Sequence, residues 1–202
     1  MSLMFQLFND RPLAAAFGLV GLFLLSAWPL LGNRIAILAA QFGIGAAFVT
    51  HYLLLEAWTG VAITAVGAAQ SFLALAANDH PVIRRLAWSL LPLPALIAWV
   101  TWTGVPTLFA TTALTLMMIG RMQRSETRLR LVLLAATPFG MVHDAMIGSL
   151  PAFAGGGIAL ILGAFVLVQR AMHASWPKSP RPVRLAPAVH APRWLHRAHH
   201  QL

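Results

Sequence analysis

The chain has 202 residues, of which 59% are hydrophobic and 9% charged, with a formal net charge of +9 and no cysteine. Soluble domains carry roughly a quarter of their residues charged, so this composition excludes an ordinary water-soluble fold. The missing cysteine excludes a disulfide framework and a thiolate metal site.

Apolar stretches of at least seventeen residues recur between arginine clusters. A bilayer core of about 30 Å is crossed by about 20 helical residues at about 1.5 Å each. The first apolar stretch, 12–32, is too long for the core of a secretory signal and lacks a basic lead-in, so it is read as a retained helix. Spans 35–55 and 58–77 follow, and then a polar loop over 78–85 that closes on Arg84-Arg85. A span over 86–102 contains Pro92 and Pro94 and is expected to kink, because each proline removes a backbone donor and crowds the preceding turn. Spans 104–120 and 129–148 flank the basic loop 121–130, and 150–169 completes the set. The fold class is therefore all-α and polytopic, with seven transmembrane helices.

With the loop after the first helix placed in the cytoplasm, thirteen of the fourteen Lys and Arg residues fall on that side, and only Arg11 on the other. Positive charge retained inside puts the N-terminus outside and the C-terminus inside. Trp28 and Trp88 then sit near inner helix ends and Trp58, Trp99 and Trp102 near outer ends, the headgroup levels that indole prefers. The basic charge is grouped at helix ends and in the tail, which is a topogenic pattern. A nucleic-acid partner is not expected.

Residues 173–202 are rich in Pro, Arg and His without apolar periodicity, and read as a disordered cytoplasmic tail suited to anionic lipid. Its His196, His199 and His200 are more consistent with adventitious metal binding than with a built site, so no metal or other cofactor is expected.

The order of features in 33–77 recurs in 128–169: arginine, an apolar helix with a histidine near its far end, a turn, and a helix rich in small residues. Extended backwards, the doubling gives a seven-helix domain over 1–172, with repeat one at 12–77, a linker helix at 86–102 and repeat two at 104–169. Three-helix units repeat in parallel only across an odd linker, and parallel repeats with a site between them are a known transporter plan.

His51 and His143 hold matching places near outer helix ends. Intramembrane ionisable groups usually face a bundle interior or water. One reading has the pair lining a central vestibule that binds an anionic or polar solute. The other has each imidazole bonding a neighbouring helix or reaching the headgroups. Asp144, beside His143, is either part of a proton relay or pairs across helices. Gln41 and Gln70 lie at similar depth on adjacent helices and are expected to bond to each other, with substrate contact as the alternative. Pro29, Pro106 and Pro138 are candidate hinges, and Gly155-Gly156-Gly157 would permit close helix approach. No paired in-span carboxylates, H-E-x-x-H or G-x-S-x-G signature occurs, so an enzyme is not expected.

The stretch from Asn33-Arg34 through Gln41 to His51-Tyr52-Leu53-Leu54-Leu55, with Gly120-Arg121, Arg128-Leu129-Arg130 and His143-Asp144-Ala145-Met146-Ile147-Gly148-Ser149, resembles the YgjV-type bacterial inner membrane proteins. The resemblance covers about four-fifths of the chain and excludes the tail. Its 3-1-3 layout is similar to that of the SWEET, PQ-loop and PnuC-like transporters, although the proline-glutamine pair is absent, Pro29 being followed by Leu30. The expectation is an inner-membrane carrier or facilitator of a small polar solute, as monomer or homodimer. The alternative is a non-transporting sensor, assembly factor or partner subunit acting through its loops and tail.

Overall fold

The computed structural model describes residues 11–77 and 80–175. It is all-helical, and no strand occurs among the described residues. The helices are α1 (Pro12–Ala27), α2 (Arg34–Leu54), α3 (Trp58–Ala76), α4 (Pro81–Ser89), α5 (Leu93–Val100), α6 (Val105–Arg121), α7 (Glu126–Met146) and α8 (Leu150–Ser175), with a 3₁₀ turn at Trp28–Leu30 after α1. Five stretches are long and apolar enough to cross a membrane, including α1 with its 3₁₀ turn, and α4 with α5 as one run; α3 and α6 are shorter apolar helices. Residues 173–175 of the expected disordered tail continue α8 as helix, and the tail beyond 175, including the three terminal histidines, lies outside the described residues.

Three boundaries differ from the sequence reading. The expected loop 78–85 is helical from Pro81 onward, so Arg84 and Arg85 sit on α4. Proline at the first helical position costs nothing, since that N–H has no intrahelical partner anyway. Helix α7 starts at Glu126, three residues early, because Ser125 caps it by accepting the Arg128 N–H. The prolines of the fourth span interrupt the helix over 90–92 instead of merely bending it. Trp28 is also corrected: it is 1% exposed, in the core rather than at a headgroup level.

Neighbouring helices pack in the closed order α1, α2, α3, α6, α7, α8 and back to α1. Six helices thus form a ring, and α4 and α5 lie against α3 and α6. Small residues set the spacing. A Cβ on Gly45 of α2 would come within 2.7 Å of the Ala68 Cβ on α3, and one on Gly155 of α8 would meet the Leu22 backbone of α1 at 3.4 Å. Such approach replaces hydrophobic driving force, which lipid does not supply between helices.

One end of the ring is held by guanidinium groups. The last carbonyls of a helix have no intrahelical donor and carry the negative end of its dipole. Arg34 at the start of α2 donates to the carbonyls of Arg121 (3.2 Å) and Gln123 (2.9 Å), at the end of α6. Arg130 on α7 donates to the carbonyls of Pro29 (2.5 Å) and Leu31, beyond the end of α1. Arg84 adds a bond to the Met122 carbonyl at 3.2 Å. Glu126 pairs with both Arg130 and Arg170 at 2.8 Å, tying α8 to the same end. At the opposite end Arg11 donates to the Leu54 carbonyl of α2.

Arg130→Met strands two carbonyls and leaves Glu126 with Arg170 alone, and we expect it to cost about 3–5 kcal/mol in reversible unfolding from detergent micelles. Arg34→Met, at a half-buried arginine, should cost less. Glu56 and Gly148, in the turns after α2 and α7, both have positive φ, at 59° and 73°. Gly148→Ala should therefore destabilise by about 1 kcal/mol although a Cβ there has open space around it. Glu56→Gly should be near neutral in the same assay, strain relief offsetting chain entropy.

Candidate functional site

The ring encloses a cavity of about 150 Å³. It is lined along its length by α2, α3, α6 and α7, with Leu25 and Trp28 from the end of α1 and Ala152 from α8. Its polar side chains are Gln41, Tyr52, Thr64, Arg121, Thr137, His143 and Asp144, set among leucine, isoleucine, methionine and glycine. A void needs about 10–15 Å³ on this measure to hold one water, so the space corresponds to on the order of ten waters.

Arg121 stands at the arginine-rich end. It was read in the sequence as part of a cytoplasmic basic loop, but it is the last residue of α6 and is 5% exposed. Its Nη1 donates to the Gly67 carbonyl (3.2 Å) and Gln70 Oε1 (3.5 Å), and its Nη2 to Gln41 Oε1 (3.1 Å). The expected direct bond between Gln41 and Gln70 is replaced by this bridge, since a guanidinium has five donors to offer two amide oxygens. Gln70 Nε2 in turn donates to the Met118 carbonyl at 3.1 Å, holding α3 to α6. Arg121 Nε is buried without a partner.

The two histidines make like contacts but face different surroundings. His51 Nδ1 donates to the Ala14 carbonyl at 2.8 Å, and His143 Nδ1 to the Pro106 carbonyl at 3.1 Å, each across 37 positions. A carbonyl only accepts, so in both rings Nδ1 carries the proton. His51 is 1% exposed, pressed on Gly18, where an added Cβ would lie 2.9 Å from its Nδ1, and is not among the residues lining the cavity. His143 lines it. Of the histidine pair expected at a central vestibule, only His143 lines the cavity. Asp144 also lines the cavity and accepts a long bond from the Tyr52 hydroxyl, 3.4 Å, across to α2. Thr64 and Thr137 hydroxyls bond back to Gly60 and Leu133 carbonyls of their own helices.

The candidate hinges fall at three kinds of place. Pro29 is in the 3₁₀ turn and its carbonyl takes the Arg130 bond. Pro106 is in the first turn of α6 and accepts from His143. Pro138 lies inside α7, which continues through it. No group of three or more His, Cys, Asp or Glu positioned for a metal occurs among the described residues.

A bundle of apolar helices with polar side chains gathered on its inside and apolar ones outside defines a multi-pass helical membrane protein. More narrowly, residues 12–171 match the model of the YgjV-type family, described as bacterial inner membrane protein, and the chain belongs to that family. No curated protein and no solved structure matches the chain.

The chain has no native cysteine, so single cysteines report access to the cavity directly. We expect Thr137→Cys and Asp144→Cys in membranes to react with a small methanethiosulfonate reagent, which needs water to form the thiolate. Ile37→Cys, in the dry core, and Ile161→Cys, on the outer face, should not react.

Proposed function

We propose that this inner-membrane protein is a carrier or facilitator of a small solute, and that the solute passes through the cavity inside the six-helix ring. The observation that supports the reading is the line of polar side chains from Arg121 at one end of that cavity to His143 and Asp144 at the other, in a cavity whose remaining lining is mainly apolar. Polar groups within membrane spans are costly unless they face protein partners or a water-filled path.

The same proposal takes the chain as seven spans in two parallel three-helix units with a linker between them, N-terminus outside and C-terminus inside. Four features favour the doubling. Helices α2 and α7 each have 21 residues and are offset by 92 positions at both ends (126 − 34 and 146 − 54). The two imidazole bonds span the same 37 positions. Positive φ recurs at 56 and 148, the same offset. Finally, Arg34 takes the carbonyls of 121 and 123, and Arg130 takes those of 29 and 31, so each half holds the equivalent helix end of the other. A two-fold axis through the ring relates the helices, histidines, turns and acceptor carbonyls at this offset, with Arg130 one helical turn past 126, the position that matches Arg34, and a solute site on that axis follows the plan of parallel-repeat transporters.

The test is flux into proteoliposomes across a panel of sugars, amino acids, nucleosides and monocarboxylates. At least one should accumulate faster than in protein-free vesicles. Gly140→Leu, which puts a side chain into the cavity where a Cβ has its nearest contact at 3.9 Å, should cut that flux at least about tenfold while leaving the unfolding temperature within a few degrees. Gly32→Ala, in open space, should leave it unchanged. Flux that survives the plugging substitution, or no flux across the panel, counts against the proposal.

A further inference from the structure

We propose that Arg121 is the binding group for a small monocarboxylate, held at the arginine-rich end of the cavity. The inference rests on the carrier reading for its physiological meaning but stands on separate observations.

A guanidinium keeps its charge at any physiological pH, and burying it without an anion costs several kcal/mol. Among the described residues Arg121 has no carboxylate within ion-pair distance; the two ion pairs both belong to Glu126. Its partners are neutral: two amide oxygens and a backbone carbonyl. Of the other arginines, Arg130 and Arg170 meet Glu126, and Arg11, Arg34 and Arg84 donate to backbone carbonyls. Arg121 alone lines the cavity.

The guanidinium is also incompletely used on one edge. Nε has no acceptor, and the remaining contact of Nη2 is a 3.9 Å approach to the Met117 sulfur, a weak acceptor. Nε and Nη2 together form the fork that grips a carboxylate through two parallel bonds. Gln41 and Gln70 hold the group in place through Nη2 and Nη1.

Charge and size narrow the ligand. One cation with neutral groups bonded around it balances one negative charge, whereas a phosphate monoester or inorganic phosphate carries about 1.5–2 at neutral pH. Leu25, Leu114, Met117 and Leu133 line the cavity near this end and suit a short aliphatic chain. Gln41, which bonds Arg121, and Tyr52, which bonds Asp144, are eleven positions apart on α2 (52 − 41), ~16 Å at about 1.5 Å per residue, so Asp144 is too distant to take the ammonium of an α-amino acid whose carboxylate sits on Arg121.

The experiment uses the full chain in nanodiscs of zwitterionic lipid, with thermal unfolding followed against butyrate, butyramide and inorganic phosphate at matched ionic strength. Butyrate should raise the unfolding temperature in a saturable way, while butyramide, of the same shape without charge, should not, and phosphate should act more weakly than butyrate. Arg121→Lys keeps the charge but loses the fork, and should move the butyrate midpoint upward about tenfold or more. Arg121→Gln should abolish the response. If that variant does not fold, the butyrate and butyramide comparison on the wild type decides alone. Equal effects of butyrate and butyramide, no butyrate effect, a stronger phosphate effect, or a butyrate response retained in Arg121→Gln would each overturn the proposal. Flux of a neutral solute without butyrate binding would sink this site and spare the carrier reading; butyrate binding without flux of any solute would do the reverse.

Discussion

Inside a bilayer there is no water to satisfy a helix end, and this constraint shapes the arginine-rich end of the molecule. The ends of α1 and α6 would each leave carbonyls unpaired at the edge of the hydrocarbon. Arg130 reaches the first and Arg34 the second. Because each arginine comes from the helix that follows the other end in the ring, satisfying the carbonyls also docks the halves together. Glu126 then balances Arg130 and recruits Arg170, so α8 closes against the same cluster. Packing through glycine and alanine along the rest of the ring follows from that fixed end, since small residues allow close approach but give little direction by themselves.

The cavity is a consequence of the same arrangement. Six helices arranged in a ring leave an axis that short side chains do not fill; Gly45, Gly67, Gly140 and Ala113 all face it. Arg121 occupies one end of this space, tethered by amides from α2 and α3, and the Tyr52 and Asp144 contact bridges α2 and α7 at the other. Side chains from both halves therefore meet around one volume. A solute bound there would touch elements whose relative position the guanidinium contacts control, which is the physical basis of coupling between site and ends in the proposed carrier.

Much of the frame was legible in the sequence because apolar length and turn chemistry are local properties. Helix α2 starts one residue before the expected 35 and α7 three residues before the expected 129, where Ser125 caps it, and the matched histidines are visible as spacing. What was not legible depended on where a side chain points. Arg121 and Arg130 look like loop charges in a cluster of four arginines, yet 121 ends one helix and 130 lies inside the next, and both turn inward. Trp28 looks like an interfacial anchor, and only the 3₁₀ turn after α1 directs it into the core. For Arg121 a signal did exist: Gln41 and Gln70 are amides at similar depth on adjacent helices, and their oxygens offer acceptors to a nearby guanidinium. His51 and His143 appear equivalent along the chain, and only packing against Gly18 separates the sealed one from the one on the cavity.

In the proposed carrier, the two halves held at one end by reciprocal arginine contacts separate there to admit a solute. Pulsed dipolar distance measurement between spin labels on Leu31→Cys and Gln123→Cys, in lipid, tests it most directly. A single short distance in the parent, joined by a longer population when Arg34 and Arg130 are both changed to glutamine, is the predicted result. The same single distance in both proteins would mean that these contacts are a fixed seam, and would contradict the account.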